Sequence, residues 1–456
     1  MSDSLTDRLT AIVGANHVSA DSDVLAGRCV DHTGRYRGNA SLLVRPGSAD
    51  EVAAVLAACR AARTYVTVQG GRTSLVAGTV PEHDDVLLST ERLTDIGSVD
   101  TRERRVRVGA GATAAAVQKA AADAGLVFGV DLASRDSATV GGMAATNAGG
   151  LRTVRYGNMG EQLLGLDVAL PDGSVVRRHS EVRRDNTGYD LASLFVGSEG
   201  TLGVITALDL RLHPTPAHRV TAVVGFAELG DLLDVGREFR DADGIAALEL
   251  IDARAAALTA DHLGVGSPVD GAWLLLIELA CDTDPTERLA DALDGAKLVG
   301  EPAVGEDAAA QRRLWAVRES VAEILGIHGP PLKFDVSLPL SEIEPFAAAA
   351  DELVATHAPD AIPVLFGHVG EGNLHLNLVR CALDGDRERK LYAAMMGLIA
   401  THHGNVSSEH GVGSRKRDYL SMSRTAADIE AMRAVKAAFD PDGYLNPAVL
   451  FPREQT

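Results

Sequence analysis

Apolar and polar positions alternate along this chain in two distinct rhythms. After a lead-in over residues 1–35 that reads as short helix, Ser41 to Pro46 (SLLVRP) and Thr64 to Gln69 (TYVTVQ) have the period of strands. Between them lies an alanine-rich segment with helical spacing, for which Ser48 and Asp50 are capping candidates, so the chain opens on a βαβ-like unit. A strand over Arg104 to Thr113 and a helix of the type AAVQKAAADAG follow. The stretches LGLDVALPDG and LFVGSEGTLGVITALDLRL read as further strands. Later, LWAVRES reads as helix and carries Arg318, while Lys333 falls in a strand just before Phe334. In FGHVGEGNLHLN, Phe366 to Asn377, the NLHLN segment alternates strictly, which places His375 and Asn377 on one face and Leu374 and Leu376 on the other.

The size and balance of the chain narrow what it can be. Its 456 residues predict two or three domains, and 46% hydrophobic with 23% charged residues can fill large cores. A formal charge of -20 argues against nucleic acid, whose binding rests on neutralising phosphates. Cys29, Cys59, Cys281 and Cys381 are widely spaced, which excludes a disulfide framework or an iron–sulfur ligand set and suits a reducing cytoplasm. The longest apolar run, near Ala272 to Ala280, is too short to span a bilayer and is broken by Glu278, so no integral membrane protein is expected.

Two regions carry candidate chemistry. Five of the fourteen histidines lie between positions 368 and 410. His368 and His375 flank a glycine-rich turn, and SSEHGVG adds Glu409 and His410 side by side, so imidazole nitrogens and a carboxylate could together hold a divalent metal. The second region is glycine-rich. Gly70 and Gly71 permit tight turns beside Arg72, Thr73 and Ser74, which offer donors to phosphate. The run from Asp131 to Glu161 has too many glycines and asparagines for a packed helix, and suits backbone that closely approaches a bulky ligand. Neither region has GxGxxG or GxxxxGK[ST] spacing, which disfavours nicotinamide dinucleotide and nucleoside triphosphate sites.

The phrases VQGGRTSL, TVGGMAATNAGGLRTVRYG, RRDNTGYDLASLFVGSEGTLGVIT and YLNPAVLFP, in this order, resemble FAD-linked oxidases and dehydrogenases of the vanillyl-alcohol oxidase type. With FGHVGEGNLHLN and SSEHGVGSRKRDYL, the resemblance points to their D-2-hydroxyacid branch, which acts on acids such as D-2-hydroxyglutarate and D-lactate. It implies an α+β architecture: an FAD-binding domain over residues 1–217, a substrate cap with an antiparallel sheet and helices over 218–395, and a tail over 396–456 that completes the flavin and metal site. The resemblance assigns Gly70, Gly71, Arg72, Thr73 and Ser74 to the FAD pyrophosphate, and Asp131, Thr139, Gly141, Gly142, Asn147 and Gly149 to a second flavin-binding run. Gly200 and Ile205 match residues near the adenine half, and Asn446 matches an asparagine that returns to the flavin. Residues 70–78 contain no histidine or cysteine, so the FAD is expected to be bound rather than tethered.

The same resemblance implies a divalent metal, zinc or manganese, on His368, His375 and Glu409, with His410 as general base and Arg318, Lys333 and Asn377 contacting the substrate. Ala322 stands where a hydroxyl residue assists in the 2-hydroxyglutarate branch, a departure that bears on preference among acids. The expected reaction is oxidation of a D-2-hydroxyacid to the 2-oxoacid, D-2-hydroxyglutarate first and D-lactate or glycolate as alternatives. A quinone or an electron-carrier protein is the expected electron acceptor, and a homodimer the expected assembly. A metallohydrolase leaves the glycine-rich half unexplained, a non-heme iron oxygenase calls for a β-barrel, and a non-catalytic flavin electron-transfer subunit has no use for the histidines.

Overall fold

The computed structural model describes residues 4–178, 185–327 and 329–451; of the motifs above, Arg183, Arg184 and Pro452 lie outside them. Contacts divide the chain into two compact units, one made of residues 1–149, 157–214 and 409–456, the other of 150–156 and 215–408.

In the first unit, β1 (Val18–Ser19), β2 (Ala40–Val44), β3 (Val66–Gln69) and β4 (Asp85–Ser89) form a sheet in the order β1-β2-β4-β3. The expected βαβ opening is present. The helix Ala49–Ala61 connects β2 to β3, and the Ser48 hydroxyl caps it by accepting from the Glu51 amide at 3.1 Å. β4 lies between β2 and β3, parallel to both. This five-residue, fully buried strand has no alternation, so periodicity does not reveal it. The outer edge of β3 is completed from far along the chain, where Val66 pairs in parallel with Leu445.

A second sheet of this unit joins β5 (Arg105–Gly109), β7 (Leu163–Ala169), β8 (Val175–Arg178) and β9 (Val204–Arg211) in the order β5-β9-β7-β8, all antiparallel. A short ribbon pairs β6 (Leu126–Val127) with β10 (His213–Pro214). Two sequence expectations are corrected here. The stretch from Leu194 to Leu212 is not one strand: it contains the end of a helix, Leu191–Phe195, then a turn, then β9. Gly197, Glu199 and Gly200 all have φ between 50° and 70°, a conformation no strand contains. The glycine-rich run does form a packed helix, Val140–Thr146, with Gly141 inside it. A Cβ at Gly141 would come within 2.8 Å of the Ala110 carbonyl oxygen, so here glycine serves close packing of a helix rather than an open loop.

The second unit is built on one antiparallel sheet. Its strands are β11 (His218–Phe226), β12 (Ile245–Asp252), β13 (Trp273–Cys281), β14 (Ala303–Gly305), β15 (Leu332–Ser337), β16 (Ile362–His368) and β17 (Asn373–Val379), in the order β14-β11-β13-β12-β16-β17-β15. Strand alternation puts Leu374, Leu376, Phe334 and Val336 on one face, where Tyr392 of the helix Gly385–Thr401 packs on Phe334 with ring centroids 5.0 Å apart. The opposite face carries Val223, Ile251, Leu276, Val364 and Phe366. These pack with Leu314, Trp315, Val317 and Val321 of the helix Ala308–Ile324, whose amino end is capped by Asp307. Arg318 shares the covered side of this helix with Leu314 and Val321, four residues before it and three after, and is therefore only 5% exposed. Toward β16, β17 and β15 this apolar face turns polar.

Candidate active site

Within the first unit, the loop after β3 is shaped by backbone. Arg72 has φ 57°, and among the described residues the amides of Arg72, Thr73 and Ser74 find no internal acceptor. Three successive amides beside a left-handed residue form a concavity suited to an anion. A Cβ at Gly71 would lie 2.0 Å from the Ser137 carbonyl oxygen, so this loop and the Asp131–Gly149 run touch backbone to backbone. The side chains have other tasks. The Arg72 guanidinium donates to the Gly27 carbonyl at 2.9 Å, and the Ser74 hydroxyl accepts from the Val76 and Gly78 amides, both at 3.3 Å. The loop thus offers a pyrophosphate three successive amides, and this is the observation that fits the FAD group to these residues.

The other expected flavin residues shape the same unit. Asp131 pairs with Arg135 at 2.7 Å, and Thr139 caps the helix Val140–Thr146, whose first turn contains Gly141 and Gly142. Asn147 ends that helix in the left-handed conformation and accepts from the Gly160 amide at 2.9 Å, with Gly149 buried just beyond. Asn446 accepts from the Val68 amide at 2.8 Å and donates to the Glu199 carbonyl at 2.7 Å. A Cβ on Gly200 would meet the Asn446 side-chain nitrogen at 2.6 Å, and Ile205 is buried in β9. Sequence reasoning missed Glu199. Burial pushes its carboxyl up in pKa, against the hydrogen bonds from the Val412 and Gly413 amides, each 2.8 Å, and the charge of Lys416. Those two amides belong to the backbone immediately after His410, so Glu199 fixes the path of that segment.

The second unit supplies the polar face. Cross-strand pairing sets Lys333 opposite Asn377 and Asp335 opposite His375 on β15 and β17, and Phe366 opposite His375 on β16 and β17. His368 closes β16 and lies opposite Glu249 of β12. The two expected imidazoles do converge: His368 and His375 have ring centroids 5.4 Å apart at an interplanar angle of 88°.

Glu249, also missed, is the hub of this face. It is 1% exposed, with Oε1 2.6 Å from His368 Nδ1 and Oε2 accepting from Arg318 Nε at 2.6 Å. Burial pushes its pKa up, but the adjacent imidazole and guanidinium prevail and hold it below the usual carboxylate range. An ionised carboxylate only accepts, so His368 Nδ1 carries the hydrogen of that contact. The Arg318 guanidinium also lies over the Phe366 ring, 4.8 Å from its centroid. Lys333 is partly buried, and its desolvated surroundings lower its ammonium pKa. Asn377 is 2% exposed. The signal for Glu249 was an acid in the otherwise apolar ALELI of β12, where a carboxylate needs partners to be tolerated.

Asp335 is the third residue that sequence reasoning passed over. Its Oδ2 accepts from the Ser408 amide at 2.9 Å, which fixes the chain one residue before Glu409. In the second unit Asp335 Oδ1 lies 3.8 Å from His375 Nδ1, and in the first the Glu409 carboxylate lies 3.5 Å from His410 Nε2. Each unit thus pairs a carboxylate with an imidazole: Asp335 beside His375 of the expected ligand set, and Glu409 of that set beside His410. Carboxylate oxygens and imidazole nitrogens are the donor set of zinc or manganese rather than of a soft metal, so the residues fit a divalent ion.

A class and then a narrower kinship follow from comparison with known proteins. Residues 40–178 match the FAD binding domain and 215–450 the C-terminal domain of FAD linked oxidases. The chain belongs to this family of FAD-dependent oxidoreductases. Its curated relatives include the mitochondrial D-2-hydroxyglutarate dehydrogenase of Bos taurus, 35% identical over 98% of this chain and 84% of the relative. The D-2-hydroxyglutarate dehydrogenase of Stutzerimonas stutzeri is 33% identical over 98% of each. The fold is shared with p-cresol methylhydroxylase, at a TM-score of 0.81 and 17% identity over 97% of this chain and 95% of that one. Among the described residues, no helix is long and apolar enough to cross a membrane.

Proposed function

We propose that the protein is an FAD-dependent D-2-hydroxyacid dehydrogenase whose substrate is D-2-hydroxyglutarate, oxidised to 2-oxoglutarate. The observation that carries the reading is the polar face of the second sheet, where two cationic side chains, Arg318 and Lys333, accompany a pair of histidines within an otherwise apolar cover. The terminal nitrogens of Arg318, left over after Nε is committed to Glu249, bind the carboxylate next to the reacting carbon. Lys333 binds the distal carboxylate, and Asn377 hydrogen-bonds the substrate. His410 accepts the hydroxyl proton at a ring nitrogen as the hydrogen on the α-carbon leaves with its electron pair. Bound FAD supplies the two-electron acceptor for that hydride. His375 and Glu409 would hold a divalent ion with Asp335 or His368, and such an ion lowers the pKa of a hydroxyl it coordinates.

Electrons pass on to a quinone or an electron-carrier protein. The wide spacing of the four cysteines supports a reducing compartment such as the cytoplasm. The reading is tested by adding a panel of 2-hydroxyacids to the purified yellow protein without oxygen and following the visible flavin band. D-2-Hydroxyglutarate should bleach it fastest, and L-enantiomers should act poorly. A faster response to D-lactate would replace the substrate, and no response to any 2-hydroxyacid would overturn the function.

A further inference from the structure

We propose that Glu249 is a positioning residue that sets two parts of the site at once: the ring nitrogen that His368 presents and the aim of the Arg318 guanidinium. The inference rests on the function proposed above and goes beyond it, since Glu249 touches neither substrate nor flavin in that reading.

The geometry is specific. Glu249 and His368 face each other across the β12–β16 pairing, so the sheet itself fixes their separation. Arg318 arrives from the helix that covers this face. Each carboxylate oxygen has one of these partners, Oε1 with His368 Nδ1 at 2.6 Å and Oε2 with Arg318 Nε at 2.6 Å. Both partners are donors, and a carboxylate answers two donors with two acceptors. With Nδ1 bearing the hydrogen, neutral His368 presents Nε2 as its basic nitrogen, the form able to hold a metal or accept a proton. With Nε held, the guanidinium plane is fixed by both the carboxylate and the Phe366 ring, so its terminal nitrogens point one way.

An amide cannot do both. In Glu249→Gln, one of the two contacts must face an NH2 group. If the oxygen stays with Arg318, His368 Nδ1 becomes an acceptor and Nε2 takes the hydrogen. If it stays with His368, the guanidinium meets a second donor and turns away. A buried ion pair kept only for stability predicts no tautomer change, because such a pair contributes through its charges alone.

The test compares wild type, Glu249→Gln and Glu249→Asp as FAD-loaded proteins, the last keeping two acceptor oxygens on a shorter arm. Equilibrium dialysis with zinc should show roughly 10- to 100-fold weaker binding for Glu249→Gln, with KM for D-2-hydroxyglutarate raised as well, and Glu249→Asp should recover part of both. In 15N NMR of histidine-labelled protein, with His368 assigned from His368→Gln, the wild type should carry its hydrogen on Nδ1. Nε2–H in the wild type would overturn the proposal even if Glu249→Gln does not fold, as would unchanged zinc affinity and KM in a folded Glu249→Gln. Failure of the underlying function looks different: wild type itself would neither bleach with 2-hydroxyacids nor bind zinc, while the His368 tautomer would still report on Glu249.

Discussion

If the proposed function holds, Lys333 is the residue on which substrate choice turns. A charge-assisted hydrogen bond of about 1.5–3 kcal/mol corresponds to a loss of about 10- to 100-fold in kcat/KM when it is removed. Lys333→Met should show that loss with D-2-hydroxyglutarate and far less with D-lactate, which has no distal carboxylate; equal losses would return Lys333 to a structural role. The same change should raise thermal stability at neutral pH. Desolvation holds the Lys333 pKa below its unfolded value of 10.5, so folding opposes the charged form, and the cost to wild type is full below the folded pKa. The stability difference between variant and wild type should therefore shrink as pH rises from the folded pKa toward 10.5, which thermal unfolding across a pH series will read. His375→Ala and His410→Ala separate ligand from base: the first should lose bound metal and turnover but keep FAD, the second should keep metal and lose turnover. Loss of metal in both would make His410 a ligand.

At the scale of elements, the glycine loop after β3 and the run that follows Asp131 act as one cradle, because at Gly71 their backbones touch. Gly71→Ala places a methyl group 2.0 Å from a carbonyl oxygen that cannot yield as a flexible side chain could. The variant should emerge with little FAD and a lower unfolding temperature, measured by absorbance and by a thermal scan. Periodicity made most of these elements legible: the helix after β2, the strand carrying His375 and Asn377, and the helix carrying Arg318 all lie where the alternation puts them. It failed where pattern and conformation part. The all-buried β4 has no alternation to detect, and the left-handed turn at Gly197–Gly200 interrupts an apolar run that reads as one strand. The histidines, Arg318 and Lys333 could be picked out by residue type. Asp335, Glu249 and Glu199 could not, because an acid buried in a strand or turn declares its partners only in three dimensions.

For the molecule as a whole, the absence of a tethering residue in positions 70–78 predicts that acid precipitation leaves intact FAD in the supernatant; flavin retained in the pellet would contradict it. Bound reversibly, FAD should stabilise by mass action, about 2.7 kcal/mol at a free concentration about 100 times Kd, so the unfolding temperature of stripped protein should climb as FAD is titrated in. The pairing of Val66 with Leu445, and of the Val68 amide with Asn446 across 378 residues of sequence, has a consequence for synthesis. β3, which leads into the cofactor loop, is translated with one edge open, and the segment that covers this edge follows 378 residues later. The second unit, whose residues 215–408 form one uninterrupted stretch, is complete before that cover arrives. A chain truncated before Leu445 should therefore leave this edge of β3 unpaired and hold FAD less tightly than the full chain, which flavin absorbance of the two purified proteins will read.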